Sequence, residues 1–186
     1  MERSPHITLA HRYWKEFLKP GMQIVDATLG NGKDTHLLAQ CLVMGNIYGF
    51  DIQKEAIDKA SAYLQENLEE PAYEMISFFH QSHQDLSFLK HPIDLIIYNL
   101  GYLPSGDKSI TTEVRTTLES LKSALEILSE NGMISITCYP GHLEGQKEQE
   151  AILEMLSNLP SHRYLICHHS WINRKAAPSL IILQKR

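Results

Sequence analysis

Ten residues, Asp26-Ala-Thr-Leu-Gly-Asn-Gly-Lys-Asp-Thr35, combine carboxylates, two closely spaced glycines and hydroxyl side chains in one short stretch. They stand between an apolar run, Met22 to Val25, and a stretch with helical spacing, Leu37, Leu38, Cys41 and Leu42. The pattern predicts a strand, a glycine-rich turn and a helix start. Such a turn can cradle a nucleotide-like ligand, because glycine admits close backbone approach and a helix start offers unpaired N–H groups. Asp51 closes the next apolar run about 20 residues on, where a carboxylate meets a ribose diol. Asn99-Leu-Gly-Tyr102 closes a fourth run, Ile93 to Tyr98.

Gly30-x-Gly32-x-x-Thr35 nearly fits the dinucleotide fingerprint, but the third glycine is a threonine, which disfavours a pyrophosphate at the turn. A carboxylate ending the first strand would also repel a pyrophosphate, whereas it can accept hydrogen bonds from an α-amino group, directly or through water. These features predict S-adenosylmethionine (SAM) as the cofactor. Asp26, Thr28, Gly30, Asn31, Gly32, Asp34 and Thr35 are its candidate contacts in the turn. Asp51 and Gln53 would take the ribose and the adenine edge; Ser82 and His83 would border the adenine. As an alternative, Asp51 serves only as a helix N-cap.

The acceptor side is expected at Asn99. An amine must present its lone pair in line with the methyl–sulfur bond. The Asn99 carboxamide oxygen and the Leu100 carbonyl can each accept an amine hydrogen, aiming that lone pair. Tyr102 offers a flat face for stacking on a base, and Gly101 supplies the turn. Asn99 and Tyr102 are therefore the catalytic candidates, with Asn99 also beside the cofactor. The bland alternative is a tight turn after a buried strand. Asp107 or a nearby histidine could take the proton. His80-x-x-His83 and His168-His169 lack a cysteine or acid partner at matching spacing, so no metal is expected.

The elements that would position these residues follow from punctuation and period. Strands are predicted at about 22–26, 47–51, 75–79, 93–99, 133–139, 163–169 and 179–184. Helices are predicted at about 4–18, 34–43, 54–68, 85–89, 112–129 and 146–158, the fifth stopped by Asn131-Gly132. Ser4-Pro5 reads as the N-cap and first-turn proline of the first helix. Alternation predicts right-handed βαβ units, and the short Trp171 to Pro178 connection predicts a terminal hairpin. The expected fold is α/β: a Rossmann-like, mostly parallel seven-stranded sheet with a C-terminal antiparallel hairpin strand and helices on both faces.

The 186 residues, 43% of them apolar, suit one well-filled domain over 1–186. No run approaches the ~20 apolar residues of a membrane span, and no signal peptide is evident, so a cytoplasmic protein without membrane contact is expected. Cys41, Cys138 and Cys167 lack paired spacing and read as reduced core residues. A net charge of −5 disfavours a strongly basic nucleic-acid binder but leaves a locally basic face open. Lys108, Arg115, Arg163, Arg174 and Lys175 are candidate phosphate ligands; Arg163 reads as a solvated charge. Tyr13, Trp14 and Phe17 suit either packing on the sheet or a homodimer, so monomer and homodimer both stay open.

Asp26-Ala-Thr-x-Gly-Asn-Gly-x-Asp-Thr35, Gly49-Phe-Asp-Ile-Gln53, Ser82-His83, Asn99-Leu-Gly-Tyr-Leu-Pro104, Gly106-Asp-Lys-Ser-Ile-Thr-Thr112 and Tyr139-Pro-Gly-His-x-Glu-Gly145 run over nearly the whole chain. Together they resemble the YtqB-like family of bacterial tRNA 5-(aminomethyl)-2-thiouridine methyltransferases (MnmM), earlier described as rRNA methylases. The resemblance implies a class I SAM-dependent methyltransferase that methylates the primary amine of a wobble uridine in the tRNA anticodon stem-loop. Gly101, Asp107, Lys108, Tyr139, His142, Asn173, Arg174 and Lys175 are the expected substrate-facing set. Ser105 stands where the family has glycine, and Asn173-Arg-Lys-Ala-Ala-Pro178 lacks the family's second asparagine and paired prolines. A SAM enzyme for another RNA base or for a small-molecule or protein amine is the alternative, and a non-catalytic SAM-binding domain is a third reading.

Overall fold

The computed structural model describes residues 4–101 and 114–186. Seven strands form one sheet: β1 Met22–Asp26, β2 Gly45–Asp51, β3 Ile76–His80, β4 Ile93–Asn99, β5 Leu128–Cys138, β6 Tyr164–His169 and β7 Ser179–Lys185. Their order across the sheet is β3-β2-β1-β4-β5-β7-β6. The first five pair in parallel, and β7 enters antiparallel between β5 and β6. The described residues also form six helices: α1 Pro5–Phe17 ahead of β1, then α2 Lys33–Cys41, α3 Lys54–Asn67, α4 Glu70–Glu74, α5 Val114–Ile127 and α6 Leu143–Ser157.

Alternation along each strand divides the core in two, since successive side chains point to opposite faces. Ile24, Leu95, Ile97, Leu180 and Ile182 face α1, α2 and α3 through Ala10, Trp14, Leu38, Ala60 and Leu64. Val25, Ile96, Tyr98, Ile181 and Leu183 face α5 and α6 through Leu121, Ala124, Ile152 and Leu156. The apolar face of α1 is thereby spent on the sheet: Trp14 is buried, with Tyr13 and Phe17 packed partly over the same cluster.

The structure departs from the sequence expectations at several local points. The helix expected at 85–89 is a turn, because the Asp85 carboxylate accepts the Ser87 N–H at 2.8 Å and Ser123 Oγ takes the Leu86 N–H at 2.9 Å. Such local side-chain bonds compete with a helix ladder. The short α4, entered through Pro71, was missed. Asn131-Gly132 does not stop α5, which ends at Ile127; Asn131 instead has φ 65° inside the early part of β5, where the register with β4 shifts. Ser4 sits at the N-cap of α1 without a side-chain cap bond. Cys138 is buried, but Cys167 is exposed on β6 and is no core residue.

Parallel pairing brings the carboxyl ends of β1 to β5 to one edge. Cys138 pairs with Ser179 and His169 with Leu180, so the 170–178 loop reaches that same edge. Ligands of such sheets bind outside the carboxyl ends, where the strand order reverses. Here that point lies between β1 and β4.

Candidate active site

The β1 turn is stitched to its neighbours by backbone. Ala27 N donates to Ile97 O at 2.9 Å and Leu29 N to Phe50 O at 2.8 Å, so the turn is fixed to both flanking strands. Gly30 and Gly32 have φ of 52° and 73°, the left-handed region that glycine adopts without strain. Gly32 has a second reason to lack a side chain, since a Cβ there would lie 3.1 Å from both Ala60 Cβ and Leu64 Cδ1 of α3. Its bare face therefore admits α3. The start of α2 carries no side-chain cap, which leaves its first-turn amides for another acceptor.

Asp26 is buried, and each of its oxygens has an internal donor. Oδ1 accepts the Thr28 N–H at 3.2 Å, and Oδ2 accepts the Thr35 hydroxyl at 2.6 Å. Burial, and next the charge of Asp34, push its carboxyl up to about 7 despite those two bonds; Asp51 adds to the rise. Asp51 ends β2 and binds the turn as well, with Oδ2 accepting the Gly30 N–H at 3.0 Å and Oδ1 the Gln53 N–H at 2.9 Å. Gln53 stands at the α3 N-cap without a side-chain cap bond. Beside it Ile52 is exposed, an apolar surface on an otherwise polar edge.

Asn99 is held by three hydrogen bonds. Its backbone N–H donates to Thr28 Oγ1 at 2.7 Å, its Nδ2 donates to Asp34 Oδ2 at 3.1 Å, and its Oδ1 accepts the Tyr139 hydroxyl at 2.8 Å. Asp34 in turn accepts from His11 Nε2 at 2.8 Å on its other oxygen. Residues from α1, α2, β4 and the β5 end thus form one chain of hydrogen bonds. Tyr139 is pushed up to about 12, by burial first and the Asp34 charge second, so it keeps its proton and stays a donor. Gly101 has φ 132°, and a Cβ there would lie 3.5 Å from the Tyr139 ring.

Other predicted residues are dispersed or occupied. Ser82 Oγ accepts the Gln84 N–H at 3.2 Å. His83 turns inward, its ring edge-on to Tyr98 at 5.7 Å, and burial pushes its imidazole down to about 4. Its Nδ1 finds no hydrogen-bond partner among the described residues. His142 caps α6, with Nδ1 accepting the Gly145 N–H at 3.1 Å. Asn173, Arg174 and Lys175 are exposed in the 170–178 loop, which Trp171 braces by donating Nε1–H to Pro178 O at 3.1 Å. A cleft of about 330 Å³ lies between that loop and the β5 end, lined by Pro140, Gln146, Gln149, Trp171 and Arg174. Asn31 is half-buried at the tip of the turn. Arg115 pairs with Glu119 on α5, and Arg163 lies 5.8 Å from the Tyr164 ring centre. Tyr102, Asp107 and Lys108 lie outside the described residues.

Sequence reasoning missed His11, which lies 23 residues from Asp34 in the chain. Only the docking of α1 over α2 brings the two together, and no spacing rule could have joined them. No cluster of three or more potential metal ligands occurs among the described residues. No helix among them is long and apolar enough to cross a membrane.

The SAM molecule expected from the sequence fits this edge chemically. The uncapped start of α2 suits its carboxylate, Asp26 its ammonium, Asp51 its ribose diol and exposed Ile52 its adenine face.

Comparison with known proteins agrees. Residues 47–185 match the family described as "Putative rRNA methylase". The chain is 34% identical over 187 aligned positions to the chloroplastic tRNA (mnm(5)s(2)U34)-methyltransferase of Arabidopsis thaliana, covering 96% of this chain and 68% of that protein. A Clostridium thermocellum protein described as a "putative rRNA-methylase" superposes with a TM-score of 0.92 at 33% identity, covering both chains completely. A Streptococcus mutans "putative methyltransferase", solved in complex with SAH, superposes at 0.85 with 30% identity, again over both full chains.

Proposed function

We propose, from the premise that the chain belongs to this rRNA methylase family and is a SAM-dependent methyltransferase, that its methyl acceptor is the aliphatic amine of a 5-aminomethyl-2-thiouridine at the wobble position of tRNA. The product would be 5-methylaminomethyl-2-thiouridine. The observation that carries this reading is the fixed carboxamide of Asn99 at the end of β4, facing the edge where the cofactor residues gather. The Arabidopsis relative, named for the same modified uridine, supports the substrate class.

Cofactor contacts in this reading come from the uncapped start of α2, Asp26, Asp51, Gln53 and the Ser82-His83 loop. SAM supplies an electrophilic methyl group; the protein's task is to deliver a neutral amine in line with it. A carbonyl oxygen has two lone pairs. Asn99 Oδ1 gives one to Tyr139 and keeps one for an amine hydrogen, while the Leu100 carbonyl can take the second. Two such acceptors aim the nitrogen lone pair and offset the positive charge that develops on it. Thr28 and Thr35 serve the site indirectly, the first by holding the Asn99 backbone and the second by holding Asp26.

On the acceptor side, the cleft by Trp171 and Arg174 is assigned to nucleotides flanking the target, with Arg174 and Lys175 on phosphates. Asn173, His142, Gly101, Tyr102, Asp107 and Lys108 complete the proposed substrate-facing set. The anticodon stem-loop is the partner and a single domain over 1–186 is the working unit.

The test is direct. Purified protein is incubated with labelled SAM and bulk tRNA from cells lacking this gene, and the digested nucleosides are identified. Label in 5-methylaminomethyl-2-thiouridine is expected. Label in another nucleoside, or only in protein or small molecules, would replace this acceptor with the one found.

A further inference from the structure

Helix α1 lies outside the stretch that matches the family, residues 47–185, and it belongs to none of the strand-end loops that form the site. It nevertheless sends two buried imidazoles to the acceptor edge. His11 Nε2 lies 2.8 Å from Asp34 Oδ1, and the His6 ring meets the Tyr139 ring edge-on at 5.4 Å. Between Asp34 and Tyr139 sits the Asn99 carboxamide.

A carboxamide can sit either way round, and its hydrogen-bond partners decide which. Asp34 as a carboxylate only accepts, so the NH₂ of Asn99 must face it. The oxygen is then forced toward the Tyr139 hydroxyl and the open edge. In the reversed state two oxygens would confront one another, and Tyr139 would lose its acceptor. The choice therefore depends on where Asp34 stands. Asp34 is a first-turn residue of α2 on a rotatable side chain, and its second oxygen is held by His11. With an acceptor-only partner, His11 Nε2 carries the proton.

We propose that His11 is a positioning residue for methyl transfer: through Asp34 it fixes the orientation of the Asn99 carboxamide that receives the acceptor amine. The proposal rests on the amine reading given above. The link from His11 to the site runs through Asp34, so its loss should leave SAM affinity in place and lower turnover.

Two variants of the full chain test it. His11→Ala removes the donor, and His11→Gln restores an N–H at similar reach. For His11→Ala, kcat on aminomethyl-bearing tRNA should fall roughly 10–100-fold, the scale of a ~1 Å misplacement. The SAM Kd and the KM for tRNA should stay within about twofold of wild type, and His11→Gln should recover much of the loss. A merely structural histidine would lower the melting temperature in both variants without this split or this recovery. Wild-type kcat in His11→Ala, or equal loss in both variants, overturns the proposal.

A second measurement needs no acceptor. The Asn99 side-chain NH₂ signals in a ¹⁵N spectrum, assigned by their disappearance in Asn99→Ala, should shift or broaden in His11→Ala and return in His11→Gln. Unchanged signals overturn the link. Signals that respond in an enzyme that leaves aminomethyl-bearing tRNA unmethylated would keep the link and discard the amine reading.

Discussion

The Thr35 hydroxyl donates to Asp26 Oδ2 across 2.6 Å, and both side chains are buried. Thr35 occupies the place where a dinucleotide fold puts its third glycine. A bare position there would let helix and strand close around a pyrophosphate. Here a hydroxyl fills it and holds a carboxylate at the end of β1, so the departure from the glycine pattern and the presence of the acid are one feature.

That acid carries a pH signature. Burial first, and Asp34 second, raise Asp26 from an ordinary 3.8 to about 7. A folded pKa above the unfolded one means that the folded protein binds the extra proton. The associated stability is fully present below about pH 4 and is lost as the pH rises through about 7. Burial lowers His6 and His83 and contributes in the opposite sense, so the comparison must be between variants. Relative to Asp26→Asn, the wild-type melting temperature without cofactor should rise as the pH falls from ~8 to ~5. A wild-type minus variant difference that stays flat over that range would show that Asp26 is ionised at ordinary pH.

Asp51 has two roles that separate by substitution. It is proposed to bind the ribose, and its Oδ2 accepts the Gly30 N–H. Asp51→Ala should weaken SAM binding by roughly 1.5–3 kcal/mol, the range for hydrogen bonds to a charged group. Asp51→Asn keeps one oxygen for Gly30 or for Gln53 and should lose less. Calorimetric titration with SAM measures both; unchanged affinity in Asp51→Ala removes it from the ribose site.

The sheet was legible because alternation and punctuation agree along most of the chain. Ile24 and Val25, Leu95 and Ile96, Leu180 and Ile181 alternate between two cores, and that period shows in the sequence. Acids and the asparagine at strand ends were legible because turn chemistry marks where strands stop. What escaped was governed by contacts distant in sequence. Asp85 and Ser123 turn the 85–89 segment into a bend, and the Ser123 contact cannot be read locally. The Asp34–Asn99 bond spans 65 residues and Tyr139–Asn99 spans 40. Residue types alone named Asp34, Asn99 and Tyr139 as candidates, yet only the packed fold reveals that they hold one another.

Arg174 and Lys175 are expected to meet RNA phosphates from the exposed 170–178 loop. Log affinity for tRNA should then fall linearly with log salt. Each change to alanine should reduce the slope by roughly 0.7–0.9, one phosphate contact. With a net charge of −5, the attraction must be local to this edge. Binding that ignores salt would count against tRNA as partner.

The acceptor itself dictates how turnover follows pH. An aliphatic primary amine has a pKa of ~8–10 and is mostly protonated at neutral pH. Only its neutral form has the lone pair that attacks the methyl group. Under saturating SAM and tRNA, log kcat should therefore rise with a slope of about 1 per pH unit from ~6 towards ~9, unless desolvation in the site depresses the amine. Two groups of the protein, Tyr139 and His83, do not mimic this. Tyr139 stays protonated with its hydroxyl pushed up to about 12, and His83 stays neutral, pushed down to about 4. Asp26, raised to about 7 in the cofactor-free protein, falls inside the range. A bound ammonium favours its ionised form, so its titration should move below that range once SAM saturates the site. Measuring the turnover rate at subsaturating and at saturating SAM separates the two, because only an Asp26 effect shrinks as SAM fills the site. A ring nitrogen or carbon acceptor has no reason to follow an amine titration. A rate that stays flat from ~pH 6 to ~9, with robust methylation of tRNA carrying unmodified uridine, would remove the amine from the mechanism and leave Asn99 without the role argued for it.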